Sequence, residues 1–193
     1  MAVKLLITDF DGTLVNTFTA NYKAYKKALG EYGINLTREK YRECFGFRFD
    51  RLMDELGVND ENIRKEIKEK KAQYYPGYFA DLQLNKPLMD FIKALHQSGV
   101  KTAIASTARR VNLINVLEYL GETSSFDLIL AGEEVAKGKP DPEIYLNTMQ
   151  RCRVMPEETL VFEDSPVGIE AAERAGINYI KITDTYWDNI NLS

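Results

Sequence analysis

The chain has 193 residues, of which 45% are hydrophobic, and its 25 basic and 29 acidic side chains give a net charge of −4. This composition is typical of a globular protein, and the length suits one domain, or one domain that carries an insert. A mildly acidic chain does not bind nucleic acid or an anionic membrane by its overall charge, and no apolar run reaches the roughly 18 residues of a membrane span. Because the chain has only 2 cysteines, Cys44 and Cys152, a disulfide framework is excluded, and we expect a reduced, cytoplasmic protein.

Five short apolar runs are predicted to form buried strands. The first, Val3–Asp9, leads into acidic residues and lacks a small-residue cleavage site, so we interpret it as a strand and not as a secretory signal. The other four runs lie at 100–105, 126–130, 159–162 and 179–182. Helical patterns separate them, such as the apolar face within 88–95 that ends before Gly99. This alternation predicts an α/β fold, a doubly wound parallel sheet with helices on both faces.

A block of helix-forming residues interrupts this alternation after the first strand. Its predicted helices lie at 22–32, 38–44, 50–56 and 61–73. The lysine- and glutamate-rich run from Arg64 to Lys71 is predicted to be a solvated helix face. We therefore predict two domains, a core of residues 1–15 and 83–193 and an inserted helical domain of residues 16–82, in a monomeric protein. Trp187, in the tail after the last strand, is expected to pack over the core.

Polar side chains follow four of the predicted strands. Because the carboxyl ends of parallel strands meet at one edge of a sheet, we expect these side chains to converge there. They are Asp9 and Asp11 after the first strand, Ser106 and Thr107 after the second, Lys137 and Lys139 after the third, and Glu163 and Asp164 after the fourth.

The chemistry of these groups points to phosphoryl transfer. Four carboxylates at one edge repel one another unless a cation lies among them, and hard oxygen ligands suit Mg²⁺, which commonly also binds a substrate phosphate. A carboxylate such as Asp9 can attack phosphorus and form an aspartyl-phosphate. A second carboxyl nearby, such as Asp11, can protonate the leaving oxygen and then activate water. Lys139 and Ser106 are suited to stabilising charge on the transferring group.

Four motifs occur in order along the chain. They are Asp9-Phe-Asp-Gly-Thr13, Ser106, Lys139 within Gly138-Lys-Pro-Asp-Pro142, and Glu163-Asp-Ser-Pro-Val-Gly168. In order and spacing they resemble the motifs of the haloacid dehalogenase-like hydrolase superfamily, in the branch that includes the β-phosphoglucomutases and phosphoglycolate phosphatases. The resemblance spans essentially the whole chain. It implies a Rossmann-like core, a small helical cap formed by the insert, and Mg²⁺ as cofactor.

The resemblance also implies roles for the acidic residues. Asp9 is the expected nucleophile and a Mg²⁺ ligand through its side chain. Asp11 is the expected general acid and base, and its backbone carbonyl is a metal ligand. Asp164 is a metal ligand, and Glu163 binds the metal directly or through water. Alternatively, Glu163 is a structural acid that pairs with a lysine.

Substrate-binding roles follow from the same resemblance. Ser106 and Lys139 are expected to hold the phosphoryl group, although Ser106 is alternatively only a helix cap. Lys137 competes with Lys139 for this role, and the family pattern with its following proline favours Lys139. Thr13 and Thr107 are further candidates beside the phosphate. In the insert, Arg48 is either a substrate ligand or a partner in a salt bridge.

Departures from the family pattern favour one activity. Dehalogenases lack the acid at Asp11, so its presence favours phosphoryl chemistry. The mutases carry a histidine where this chain has Asn21, and they carry an arginine three residues after a cap glycine, whereas Arg48 is one residue closer to Gly46. We therefore predict a Mg²⁺-dependent phosphatase that acts on a small phosphorylated metabolite. The alternatives are a β-phosphoglucomutase-like isomerase and a non-catalytic module, phosphorylatable or ligand-binding, that retains the fold.

Overall fold

The computed structural model describes residues 2–183 and Trp187. Contacts along the chain divide it into two compact units. One unit comprises Met1–Asn16 and Leu84–Ser193, and the other comprises Thr17–Gln83. No helix in the described part of the chain is both long and apolar enough to cross a membrane.

The first unit is built on a parallel sheet of five strands in the order β5-β4-β1-β6-β7. The strands are β1 (Leu5–Thr8), β4 (Lys101–Ala105), β5 (Leu128–Leu130), β6 (Thr159–Glu163) and β7 (Asn178–Lys181). A separate sheet has two short strands, β2 (Val15–Asn16) and β3 (Gln83–Leu84). The predicted α/β class and the parallel sheet are confirmed, whereas β2 and β3 were not predicted.

Helices cover both faces of the five-stranded sheet. They are α5 (Lys86–Gln97), α6 (Arg110–Leu120), α7 (Glu143–Cys152) and α8 (Pro166–Arg174). On one face, Ile144 of α7 and Ala171 of α8 pack in one core cluster with Ile7 of β1. On the other face, the ring of Phe91 in α5 contacts that of Phe162 in β6, with centroids 6.1 Å apart. Apolar side chains on both faces thus bury the three central strands β1, β4 and β6, as their continuous apolar runs require.

The strand register sets the position of the site. Thr8, the last residue of β1, pairs with Ile104 of β4 on one side and with Phe162 of β6 on the other. The residue after β1 is therefore level with the last residue of each neighbouring strand. The side chains at the carboxyl ends of these three strands therefore start at the same level along the strand direction, at one edge of the sheet.

The second unit is helical. It contains α1 (Phe18–Gly30), α2 (Arg38–Cys44), α3 (Phe49–Glu55), α4 (Glu61–Tyr74) and a 3-10 helix at Tyr75–Asp81. Side-chain caps fix two starts: Thr37 accepts a hydrogen bond from the backbone of Lys40, and Asp60 caps α4 in the same way. The prediction that the run up to Lys71 is solvated is wrong at that residue, which is buried with its ammonium 3.8 Å from the centre of the Tyr75 ring.

Candidate active site

Three carboxylates converge at the carboxyl ends of β1 and β6. Asp9 follows β1, Glu163 is the last residue of β6 and not the first after it, and Asp164 comes next. One oxygen from each lies within 4.8 Å of the others. Asp9 and Glu163 are buried and Asp164 is half-buried. The adjacency of two parallel strands therefore brings together acids that are more than 150 residues apart in sequence.

A single lysine bridges two of these acids. The Lys139 ammonium donates hydrogen bonds to Oδ1 of Asp9 at 2.7 Å and to Oε1 of Glu163 at 2.6 Å, and its side chain is 2% exposed. Lys137 lies outside this cluster, because its side chain is 75% exposed and faces Asp141 at 3.7 Å. The structure thus brings Lys139, and not Lys137, to the carboxylates.

Burial and mutual repulsion shift the acids toward their neutral forms. Burial raises the pKa of Asp9 well above its usual value; Lys139 opposes this shift, whereas Glu163 and Asp164 add to it. Burial, together with repulsion from Glu163, raises the pKa of Asp164 to about 7. For Lys139, burial alone lowers the pKa, but Asp9 and Glu163 outweigh this effect and raise it well above its usual value. Ionisation of all three acids is therefore unfavourable with Lys139 as their cation.

Two glycines allow the loops to approach the carboxylates. Gly12 has a positive φ of 99°, which L-residues rarely adopt, and a Cβ there would overlap the Asp164 carboxylate. A Cβ on Gly168, in the first turn of α8, would overlap the carboxylate of Glu163. Both motif glycines are therefore required by space, and at Gly12 also by backbone conformation.

Hydrogen bonds orient the two acids at the end of β6. The Thr13 hydroxyl donates to Oδ1 of Asp164 at 2.7 Å. The backbone N–H of Ser165 donates to Oε2 of Glu163 at 2.8 Å, and the Tyr145 hydroxyl donates to Oε1 of Glu163 at 3.2 Å. The carboxylates are thus held in place by the protein itself.

Ser106 and Thr107 follow the neighbouring strand β4. Ser106 is 1% exposed; its backbone N–H donates to the carbonyl of Leu130 at 3.1 Å, and its Oγ accepts from the N–H of Ala108 at 3.1 Å. A Cβ on Gly132, which follows β5, would overlap the Thr107 carbonyl. The loop after β4 is therefore packed directly against the loop after β5.

The structure gives the local surroundings of two further predicted residues, Asp11 and Arg48. Asp11 is half-buried and forms an isolated backbone bridge with Val15. Arg48 is in the helical unit, half-buried, immediately before α3, where its carbonyl accepts from the N–H of Leu52 at 3.0 Å.

Two aromatic residues were not assigned to the site from the sequence. Tyr145, fully buried in α7, contacts Glu163 and places its ring centre 5.0 Å from the Lys139 ammonium. Trp187 donates a hydrogen bond from Nε1 to the carbonyl of Gly12 at 2.7 Å. The position of Tyr145 a few residues after Lys139 is a weak indication that it lies near the site. Nothing in the sequence indicates that Trp187 contacts the first motif.

The donor set fits a hard divalent cation. The oxygens of Asp9, Glu163 and Asp164 are close enough to share one ion, and a cation among them would offset the burial and the repulsion from Glu163 that raise the pKa of Asp164. Carboxylate oxygens without sulfur or imidazole ligands suit Mg²⁺ better than the softer transition metals.

Stability in the absence of metal is expected to depend on pH. Because the folded state raises the pKa of Asp164 from 3.8 to about 7, it binds this proton more tightly than the unfolded chain does. The free energy of unfolding therefore falls as the pH rises from about 4 to about 7. Mg²⁺ bound to these carboxylates would compete with the same protons, so we expect it to raise the Tm more at pH 8 than at pH 5.5. Differential scanning fluorimetry with an external dye measures both, and equal Mg²⁺ shifts at the two pH values would contradict this account.

Comparison with known proteins places the chain in a family. A family model described as haloacid dehalogenase-like hydrolase matches residues 6–182. A phosphorylated carbohydrates phosphatase of Thermotoga maritima is 32% identical over 92% of this chain and 84% of its own length. The fructose-1-phosphate phosphatase YqaB of Escherichia coli is 29% identical over 92% and 95%. CbbY from Rhodobacter sphaeroides, solved in complex with phosphate, has a TM-score of 0.86 at 26% identity, over 95% and 88%. This chain therefore belongs to the haloacid dehalogenase-like hydrolase family, and it is a phosphatase of that family, as its sequence predicts.

Proposed function

We propose that this protein hydrolyses a small phosphorylated metabolite with Mg²⁺ as cofactor and with an aspartyl-phosphate on Asp9 as intermediate. One observation carries the proposal. The buried Asp9 carboxylate is hydrogen-bonded to Lys139 and lies beside two further carboxylates that have no second cation among the described residues. This arrangement combines a nucleophile, a cation for the phosphoryl oxygens and a donor set for a metal ion.

A phosphorylated carbohydrate is the substrate class that we favour. Support comes from the relatives, two of which are named as phosphatases of phosphorylated carbohydrates and of fructose 1-phosphate. The carboxylate cluster and Lys139 offer groups for a phosphate and its metal ion, which all phosphomonoesters have in common, so they do not distinguish one organic part from another. Selection of the organic part is then assigned to the inserted helical unit, which we propose acts as a cap, with Arg48 as its substrate contact.

The proposed reaction has two displacements. In the first, an oxygen of Asp9 attacks phosphorus, the bond from phosphorus to the ester oxygen breaks, and Asp11 gives its proton to the leaving alcohol. In the second, water attacks the same phosphorus, and Asp11 takes the proton that the water loses. The acyl-phosphate bond then breaks, which releases inorganic phosphate and restores the Asp9 carboxylate.

The other residues stabilise charge during both displacements. Lys139 holds Asp9 in position and, together with Ser106, is proposed to donate hydrogen bonds to the equatorial phosphoryl oxygens. Asp9, Asp164 and the Asp11 carbonyl would hold Mg²⁺, with Glu163 as a direct or water-mediated ligand. When bound, Mg²⁺ neutralises charge on the phosphoryl group and reduces its repulsion by the carboxylates.

Phosphate release from a panel of compounds tests this proposal. The panel comprises sugar phosphates, phosphoglycolate and nucleotides, each with Mg²⁺ and with excess chelator. We expect release from sugar phosphates that depends on the metal, because the uncompensated carboxylates repel the anionic substrate without it. Release that is equally fast in chelator would overturn the metal requirement. Conversion of β-glucose 1-phosphate to glucose 6-phosphate without release of phosphate would instead assign a mutase.

A further inference from the structure

We propose that Trp187 is a positioning residue for the first motif, and that through Gly12 and Thr13 it sets the geometry of the proposed Mg²⁺ ligand Asp164. The inference rests on the proposed metal site, but it concerns a residue outside all four motifs. Its basis is one buried hydrogen bond, in which the indole Nε1–H of Trp187 donates to the Gly12 carbonyl at 2.7 Å. The Trp187 side chain is 8% exposed.

The Gly12 carbonyl is a sensitive point of the loop. Glycine has wide backbone freedom, and Gly12 occupies a positive φ of 99° directly against the Asp164 carboxylate. Its N–H donates to the carbonyl of Val15 at 2.9 Å. With the indole on its carbonyl, both polar groups of Gly12 are fixed. The hydrogen bond thus restrains the residue that has the greatest freedom to rotate in this loop.

The restraint passes to the metal site through one peptide plane. The Gly12 carbonyl lies in the same peptide plane as the N–H and Cα of Thr13. A hydrogen bond that fixes this carbonyl therefore also fixes the orientation of the Thr13 backbone at its N–H. The Thr13 hydroxyl donates to Oδ1 of Asp164 at 2.7 Å. Rotation of the Gly12–Thr13 peptide would therefore move the donor that orients Asp164. Removal of a residue that hydrogen-bonds to a metal ligand typically lowers the metal affinity by about 10- to 100-fold.

Tryptophan suits this position chemically. Its indole N–H only donates, so it matches a carbonyl and offers no acceptor that competes with the carboxylates. Its large apolar ring supplies a buried support that a lysine or asparagine donor lacks. It is also the chain's 1 tryptophan, so that tryptophan emission comes from this position alone.

The variant Trp187→Phe tests the inference, because it keeps an aromatic ring and removes the donor. We expect the Mg²⁺ concentration for half-maximal thermal protection, followed with an external dye, to rise by about tenfold. We expect kcat to fall while KM changes less than twofold. The matched control is Tyr179→Phe, which removes the exposed hydroxyl that donates to Glu173 at 3.0 Å and should change neither value. A lower Tm with an unchanged Mg²⁺ midpoint and an unchanged kcat would show a purely structural role and overturn the proposal.

A measurement on the unaltered protein covers the case in which Trp187→Phe fails to fold. Titration with Mg²⁺ alone is expected to change the tryptophan emission with the same midpoint as the dye-detected thermal protection. Thermal protection without any change in emission would overturn the role of Trp187 and leave the proposed metal site intact. Absence of both would overturn the metal site and, with it, this inference.

Discussion

Replacement of Asp9 by asparagine is expected to lower kcat by at least about four orders of magnitude, because the amide is a very weak nucleophile toward phosphorus. The fold is expected to survive. Asparagine has nearly the same shape, and its neutral amide relieves the repulsion from Glu163 and Asp164 that contributes to the raised pKa of Asp9. The Tm of the metal-free variant should therefore equal or exceed that of the unaltered protein. Steady-state phosphate release and thermal unfolding measure the two effects.

The matched control for Asp9→Asn is Asp90→Asn. Asp90 is 57% exposed and pairs with Lys86 at 3.0 Å on the surface of α5. An exposed pair of this kind contributes at most about 1 kcal/mol, so both kcat and Tm should stay close to their original values. Retention of more than about a tenth of the activity by Asp9→Asn would remove Asp9 as the nucleophile.

Replacement of Lys139 by methionine is expected to affect stability and activity together. The ammonium lies 2.7 Å from Asp9 and 2.6 Å from Glu163, and its side chain is nearly fully buried. Removal of one partner of a buried ion pair leaves uncompensated charge and typically costs about 3–5 kcal/mol. We expect a large loss of Tm without metal, and kcat about 100- to 1,000-fold lower, because the proposed donor to the phosphoryl group is lost. The rise in Tm on addition of Mg²⁺ should be larger than in the unaltered protein, since the metal then becomes the sole cation of the cluster.

The neighbouring variant Lys137→Met separates this effect from a general loss of charge. Lys137 lies two residues before Lys139 in the sequence and carries the same charge, but its side chain is 75% exposed. We expect a change in stability below about 0.5 kcal/mol and an unchanged kcat. If Lys137→Met and Lys139→Met had similar effects on kcat and on Tm, the assignment of Lys139 to the carboxylate cluster would be refuted.

The sequence predicts the helices and strands of this fold well where the spacing of apolar residues agrees with their burial. The segment 38–44 has the predicted bounds of a helix, and the strand before Asp9 lies where its aliphatic run predicts it. Lys71 departs from this agreement. A hydropathy pattern treats lysine as solvated, but aromatic rings from α1 and from the segment after α4 enclose this side chain, with ammonium-to-centroid distances of 5.1 Å to Tyr25 and 3.8 Å to Tyr75.

The convergence at the site was predictable in part. That acids follow strands is visible in the sequence, and the carboxyl ends of parallel strands meet at one edge. That β6 lies directly beside β1, and so brings Glu163 level with Asp9, depends on pairing across the chain that no local pattern encodes. The same holds for Tyr145 and Trp187, whose contacts are set by tertiary packing. Aromatic residues in a sequence indicate burial, but the tertiary fold decides which polar atom their O–H or N–H contacts.

Trapping of the phosphorylated enzyme tests the central proposal most directly. The protein is mixed with Mg²⁺ and its best sugar phosphate, quenched in acid within a single turnover, digested and analysed by mass spectrometry. The proposed mechanism predicts the added mass of one phosphoryl group on the peptide that contains Asp9, and its absence in Asp9→Asn and in the presence of chelator. Rapid turnover with no phosphorylated peptide, or with the group on Ser106, would contradict the proposed aspartyl-phosphate intermediate.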